Sequence, residues 1–297
     1  MTEAEWAEAE RRHRDALEPI TSASLARRGT GVKHPVYDFL FTYFSYPPSK
    51  LLRYHPGPSV TIEPDPKASQ LPHYIEAGHY VLQEGGYKLD LSRLRENEIT
   101  RIAWIRQLCE NVLNRGPWLG CFGLHEWAMV YKMTQEDVRH SGFKMRLTAA
   151  EIDAVVESQT LRCSHFDAYR FFTPPAIPRN ALKPDMDSRL EMEQPGCIHT
   201  NMDLYKWTYK ILPWCGSDLV REAFLLALKA REIDMKASPY DLSDLGFEPI
   251  LIETSAGRDE YVRLQGELAE EARPIREKLM DTAAWLLESA TPANAEV

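Results

Sequence analysis

The spacing of apolar and polar residues predicts helices along most of the chain. Segment 217–235 is the clearest example, because its apolar residues recur every three or four positions and so share one face of a helix. Helices are also predicted over 2–28, 35–46, 92–113 and 257–290. A mainly helical fold follows from this pattern.

Two short apolar runs on either side of Gly85 and Gly86 interrupt the helical pattern and are typical of a β-hairpin. Residues 247–253 are predicted to form one late strand, and Pro19 is expected to kink or split the first helix. The predicted fold class is therefore mainly α (α+β with a minor sheet), with one short hairpin.

The length of 297 residues is sufficient to bury a sizeable core. The sequence contains no internal repeat and no low-complexity linker. Residues 1–290 are therefore predicted to form a single mainly helical domain, and residues 291–297 a flexible C-terminal tail.

Composition and charge narrow the class of protein. Hydrophobic residues make up 44% of the chain and charged residues 27%, as is typical of a soluble globular protein. No run approaches the about 18 consecutive apolar residues of a membrane span. The acidic amino terminus has no hydrophobic signal region, so we expect a cytoplasmic protein. The net charge of −9 weighs against a protein that grips long DNA through its phosphates.

Three short segments concentrate chemically versatile side chains beside aromatic residues: Gly120–Trp127, Arg162–Phe172 and Gln194–Trp207. They contain three of the five cysteines and three of the nine histidines, each pair close to a carboxylate. Five is an odd number, and in a reducing compartment these cysteines should be thiols or metal ligands. The density of such groups predicts an enzyme in which Cys121–Trp127, Cys163–Tyr169 and Cys197–Trp207 converge around one cavity.

The cysteine and histidine spacing leaves the kind of site open. Cys163, His165 and Asp167 share one face if the segment is extended, whereas a helix beginning there would separate them. Zinc held by the pairs Cys163/His165 and Cys197/His199 is one alternative. Iron held by histidine and carboxylate ligands from several segments is the other. The candidate metal ligands are His125, Cys163, His165, Cys197 and His199.

The candidate catalytic residues are Glu126, Asp167, His199 and Asp203. His199 and Asp203 are one helical turn apart, so they are predicted to form a catalytic pair. The alternative makes Asp203 part of a helix-capping box with Thr200. Glu126 follows a histidine at a predicted helix start, and it is either a general acid or base or an ordinary helix-start glutamate.

The chain carries none of the motifs of three large enzyme classes. It has no glycine-rich dinucleotide fingerprint, no phosphate-binding loop and no Gly-x-Ser-x-Gly turn of the serine hydrolases. It does have seven tryptophans, thirteen tyrosines and ten phenylalanines, enough for an aromatic wall that suits a planar nucleobase.

Segments along nearly the whole chain carry a resemblance to a known family: Lys33–Tyr43, Cys121–Tyr131, Arg162–Pro175, Gln194–His199, Asp203–Trp207 and Ala237–Leu242. They resemble a bacterial family whose members are labelled 3-methyladenine DNA glycosylase. The resemblance implies a hydrolase of DNA repair that cleaves the N-glycosidic bond of a modified purine.

Cleavage of an N-glycosidic bond in a nucleobase-bearing substrate is the leading hypothesis. A carboxylate would stabilise the positive charge that develops on the sugar, and aromatic side chains would stack on the base. The four aromatic residues assigned to substrate binding are Trp127, Tyr169, Tyr205 and Trp207.

Two other classes of function remain open. One is a metal-dependent oxygenase or hydrolase that acts on a small molecule with iron or zinc. Its ligands would come from the histidines and carboxylates named above. The other is a non-catalytic binding protein that uses its acidic terminal helix as the contact surface. The sequence leaves the oligomeric state undecided.

Overall fold

Helices form most of the regular structure in the computed structural model, which describes residues 1–31, 33–64, 75, 77–134 and 143–290. The mainly α fold with a minor sheet is confirmed. The predicted flexible tail, 291–297, lies outside the described residues.

The chain divides into two compact units. The first comprises Met1–Cys109, Leu204–Leu225 and the described residues from Ile275 onward. The second comprises Glu110–Asp203 and Leu226–Pro274. The single domain expected over 1–290 stays a prediction.

Among the described residues, the α-helices and strands that lie wholly in the first unit include α1 (Glu3–Thr30), α2 (Phe39–Tyr43), α3 (Pro48–Leu51), β1 (Tyr80–Gln83) and β2 (Gly86–Leu89). The core of this unit includes Leu17 of α1, Leu40 of α2 and Leu51 of α3, all of which are buried. Pro19 lies inside α1 and does not split it into two helices.

The helix predicted over 35–46 is shorter than expected, since α2 covers only five residues. The residues before it form a turn in which the His34 Nδ1 atom accepts hydrogen bonds from the backbone N–H groups of Val36 and Tyr37, both at 3.2 Å. Asp38 is held by Arg27 through two hydrogen bonds of 2.7 Å. These local bonds compete with a helical backbone.

The predicted hairpin is confirmed as an antiparallel pair in which Tyr80 faces Leu89 and Gln83 faces Gly86. Both glycines of the turn have positive φ angles, of 88° at Gly85 and 137° at Gly86, which explains the sequence signal.

The late strand predicted over 247–253 is wrong, because the described segment has no strand geometry. Ile250 and Ile252 are buried, which accounts for the apolar pattern. The Ile250 N–H donates to the carbonyl of Lys236 at 2.8 Å, so this segment bonds to a helix end instead of a neighbouring strand.

The later α-helices of the described chain are α4 (Glu96–Leu113), α5 (Leu124–Ala128), α6 (Ala149–Ser158), α7 (Phe166–Tyr169), α8 (Arg189–Met192), α9 (Ile198–Tyr209), α10 (Ser217–Lys236) and α11 (Ser255–Ala290). The helices predicted over 92–113, 217–235 and 257–290 correspond to α4, α10 and α11, with end shifts of up to four residues. The core of the second unit includes Trp127, Val156, Tyr261 and Leu268.

None of the described helices combines the length and apolar character that crossing a membrane requires.

The start of α11 depends on a glycine whose replacement should be costly. A Cβ atom added at Gly257 would overlap the Leu251 carbonyl group, so Gly257→Ala must displace backbone. We expect it to lower the free energy of unfolding by at least about 2 kcal/mol. Gly266→Ala in the same helix is the matched control, because the nearest heavy atom there is 3.8 Å away. Alanine should stabilise that position by about 0.5–1 kcal/mol. Equal urea midpoints for the two variants would contradict this packing.

Candidate metal centre

A tight turn of the backbone places His125 and Glu126 in the interior of the second unit. Phe122 and Gly123 have positive φ angles of 47° and 70°, and α5 begins directly after them. Such a conformation is unusual for phenylalanine and easy for glycine. The single helical turn that follows buries the side chains of both His125 and Glu126.

His125 pairs with an aspartate that the sequence did not single out. Its Nε2 atom lies 2.6 Å from Oδ1 of Asp234 on α10. Burial opposes a charge on the imidazole, but the carboxylate outweighs it and raises the pKa of His125. Burial likewise opposes ionisation of Asp234, and the charge of His125 outweighs it and lowers the pKa of Asp234.

Arg231 supports this pair from behind. Its Nη1 atom donates to the other carboxylate oxygen of Asp234 and to Oε1 of Glu126, both at 2.8 Å. All three side chains are buried. Glu126 is therefore held in an ion pair, which fixes the position of Asp234 through the shared guanidinium.

His199 completes the group. Its ring lies edge-on to His125 at 4.5 Å between centroids and is stacked on His165 at 5.4 Å. Among the described residues, the His199 side chain has these ring contacts and no hydrogen bond. Burial, reinforced by the neighbouring His125, lowers the pKa of His199 to about 3. The imidazole is therefore neutral near pH 7, with a lone pair available for a ligand.

His125, His199 and Asp234 form a ligand set suited to a divalent metal. One donor atom from each lies within 4.8 Å of the other two. Two histidines and one carboxylate are the ligands of non-haem iron oxygenases and, with glutamate as the carboxylate, of many zinc hydrolases. The bond from Arg231 to the second carboxylate oxygen is the kind of outer contact that orients a metal ligand.

A second group, formed by His165, Glu193 and Asp203, also has donor atoms within 4.8 Å of one another. His165 Nε2 lies 3.2 Å from Asp203 and 3.6 Å from Glu193. Arg189 Nη1 lies 3.0 Å from Glu193 and 3.4 Å from Asp203, and its Nη2 atom contacts Asp167. A metal would have to compete with this guanidinium, so the group containing His199 is the better candidate.

A narrow cavity opens beside His125 and His199. It has about 420 Å³ of empty space, which includes open solvent, and its interior has room for about one or two water-sized molecules. Trp118, Arg162 and Gln194 are among the thirteen residues that line it. A water molecule or a metal ion fits this interior, whereas a planar base needs more space.

Cys121, Cys163 and Cys197 also line this cavity. Burial raises the pKa of all three thiols, that of Cys163 to about 12. They are therefore neutral near pH 7. Residues of all three segments singled out in the sequence line this one cavity, so the predicted convergence is observed within the second unit.

The predicted four-residue zinc site does not form. His165 and His199 belong to different groups of donors, and neither of the two groups found among the described residues includes Cys163 or Cys197. The segment does not stay extended, because α7 begins directly after His165. Asp167 therefore pairs with Arg189, whereas Cys163 lines the cavity.

The predicted pairing of His199 with Asp203 is not observed among the described residues. Asp203 bonds to His165 and to Arg189. Its alternative role in a capping box with Thr200 is wrong, because α9 begins at Ile198 and Thr200 is already inside it.

Two of the predicted substrate-binding aromatics lie in the second unit. Trp127 is buried and its indole N–H donates to the carbonyl of Ala237 at 2.9 Å. Tyr169 packs edge-on against Phe172, which lines the cavity.

The other two belong to the first unit. Tyr205 is buried against Phe44, with 5.3 Å between ring centroids. Trp207 lies 5.0 Å from Trp104. Contact of these four aromatic side chains with a substrate stays a prediction.

Sequence reasoning missed Asp234, Arg231, Arg189 and Glu193. A signal for Asp234 was present, because it follows Ala230 by four residues and so lies on the apolar face of its helix. A carboxylate on such a face requires a buried partner.

No known protein family, curated protein or solved structure matches this chain.

Proposed function

We propose that the protein is a divalent-metal-dependent enzyme acting on a small molecule, with His125, His199 and Asp234 as its metal ligands. The observation that carries this proposal is the buried His199 imidazole, which lines the cavity beside a second histidine and a carboxylate and has no hydrogen bond to any residue that the structure describes. A buried imidazole normally has a hydrogen-bond partner. Water or a metal ion in the cavity would supply one, and the nearby donor atoms of His125 and Asp234 favour the metal ion.

The ligand set suits Fe²⁺ or Zn²⁺. Such an ion, when bound, acts as a Lewis acid or activates a small ligand in its open coordination positions. The protein's own residues would orient the carboxylate through Arg231 and keep the centre buried beside a cavity large enough for water. Binding would displace the proton shared by His125 and Asp234.

Cleavage of an N-glycosidic bond, which the family resemblance implies, is the competing proposal. It needs a carboxylate next to the substrate. Glu126 is paired with Arg231, Asp167 with Arg189, and Asp203 with His165 and Arg189. None of these three carboxylates is among the residues that line the described cavity, so the geometry favours the metal centre.

Metal content is the direct test. Full-length protein purified from cells supplied with iron and zinc is expected to hold about one equivalent of metal per chain. Chelation should remove it, and reloading with Fe²⁺, Zn²⁺ or Co²⁺ should restore it. Oxygen consumption by the iron form or ester hydrolysis by the zinc form would then identify the reaction class.

The competing proposal makes the opposite prediction. Metal-free protein that releases free 3-methyladenine from methylated DNA, and that retains none of the three metals, would overturn the metal centre. Protein that retains no metal and releases no base would support a non-catalytic binding protein.

A further inference from the structure

The wall of the cavity beside His199 includes an arginine and no carboxylate. Among the thirteen residues that line it there is no carboxylate, although five buried or half-buried carboxylates lie in the two networks around it. Arg162, one of the lining residues, carries a positive charge. The wall of the cavity is therefore neutral or positive.

Arg162 rests on a fixed aromatic platform. Its guanidinium carbon lies 5.0 Å from the ring centroid of Trp118, in cation–π geometry. The backbone N–H of Trp118 donates to the side-chain oxygen of Gln194 at 2.9 Å. The side-chain NH₂ group of Gln194 donates to the backbone carbonyl of Trp118 at 3.2 Å. Gln194 thus holds the backbone of Trp118 from both sides and fixes the surface on which Arg162 lies.

The N–H groups of Arg162 have no partner among the residues that the structure describes: no hydrogen bond or ion pair joins this side chain to them. The side chain is exposed at the cavity wall. Stacking uses the flat face of a guanidinium and leaves its N–H edge for a planar oxyanion, which it can bind through two parallel hydrogen bonds.

We infer that Arg162 recognises an oxyanion group, a carboxylate or a phosphate, on a small molecule bound at the open side of this cavity, where Arg162 is exposed; the interior itself has room only for water or a metal ion. The inference rests on the proposed function for what happens to that molecule, whereas the charge preference depends only on the wall of the cavity. The reacting end would face His125 and His199, and the oxyanion would face the guanidinium on Trp118. Arg162 is a specificity-determining residue in this arrangement.

Ligand-observed NMR with three small probes tests this inference. Acetate and inorganic phosphate represent the two oxyanions, and acetamide is the neutral control of the same shape as acetate. We expect the metal-free protein to bind acetate or phosphate more tightly than it binds acetamide. Arg162→Gln should weaken the oxyanion affinity by about three- to tenfold, and Arg162→Lys should weaken it less.

Arg170→Gln is the matched control, because Arg170 also stacks on an aromatic ring, that of Phe171 at 4.7 Å, but does not line the cavity. Its oxyanion affinity should equal that of the unaltered protein. With Co²⁺ loaded, the protons of bound acetate should relax faster than with Zn²⁺, because the paramagnetic ion would be near. At the same acetate concentration, chosen below saturation, that enhancement should fall about three- to tenfold in Arg162→Gln, in step with the loss of affinity.

The outcomes separate the two proposals. Equal affinities for acetate and acetamide, or an oxyanion affinity that Arg162→Gln leaves unchanged in a folded protein, would overturn the recognition role. Cobalt retention in that case would leave the metal centre standing. Failure to retain cobalt, together with an oxyanion affinity that still depends on Arg162, would overturn the metal centre and leave the recognition site. A preference for phosphate over acetate would assign the oxyanion as phosphate, and the reverse as carboxylate.

Discussion

His199→Ala is expected to reduce bound metal from about one equivalent per chain to less than about a tenth, and to lower turnover at least about a hundredfold. The variant removes one of three protein ligands. Its effect on folding should be small, because the imidazole makes ring contacts but no hydrogen bond in the described structure. We expect the melting temperature of the metal-free protein to change by only a few degrees, about 5 °C or less. Metal analysis, the oxygen-consumption or ester-hydrolysis assay, and calorimetry on the same preparation measure the three quantities.

His165→Ala is the control that discriminates between the two groups of donors. His165 is equally buried and stacks on His199, but it bonds to Asp203 in the group that Arg189 already holds together. This variant should lose stability and keep its metal. The reverse result, with metal lost from His165→Ala and kept by His199→Ala, would assign the centre to His165, Glu193 and Asp203 and contradict our assignment.

Local patterns in the sequence predicted much of the fold. The periodicity of α10 and the paired glycines of the hairpin each depend on neighbours within a few residues, and both were located correctly. The prediction of a late strand at 247–253 was wrong because the hydrogen-bond partner of this segment lies outside it. Its apolar residues are buried as expected, but the Ile250 N–H bonds to the end of a helix fourteen residues earlier, at Lys236, and the alternation of apolar residues within 247–253 does not indicate such a partner.

The residues of the candidate site were also predicted only where the signal was local. His125 and His199 were identified because histidines are few and stood in dense segments. Their carboxylate partner, Asp234, comes 35 residues after His199 on a helix that reads as an ordinary amphipathic one. Asp203 was assigned to His199 because the two are one turn apart, yet the turn of chain before α7 brings His165 to Asp203 instead. Which carboxylate meets which histidine is decided by tertiary packing.

Arg231→Met is expected to cost about 3–5 kcal/mol of the free energy of unfolding, the largest stability effect that this site predicts. Methionine preserves most of the volume and removes the charge. Asp234 would still have His125 as a partner. Glu126 would lose its ion pair with Arg231, which is the only ion pair that it has among the described residues. Its buried carboxylate would then have no cationic partner. Chemical denaturation of metal-free protein measures the loss.

The double variant Glu126→Gln/Arg231→Met tests whether that orphaned carboxylate is the cause. Glutamine keeps the shape and removes the buried charge, so the double variant should be more stable than Arg231→Met alone, by about 1–3 kcal/mol. Arg263→Met is the surface control, because Arg263 pairs with Glu267 in solvent and its loss should cost less than about 1 kcal/mol. If the single and double variants unfold at the same denaturant concentration, the loss arises from packing around Arg231, and Glu126 is not what the guanidinium neutralises.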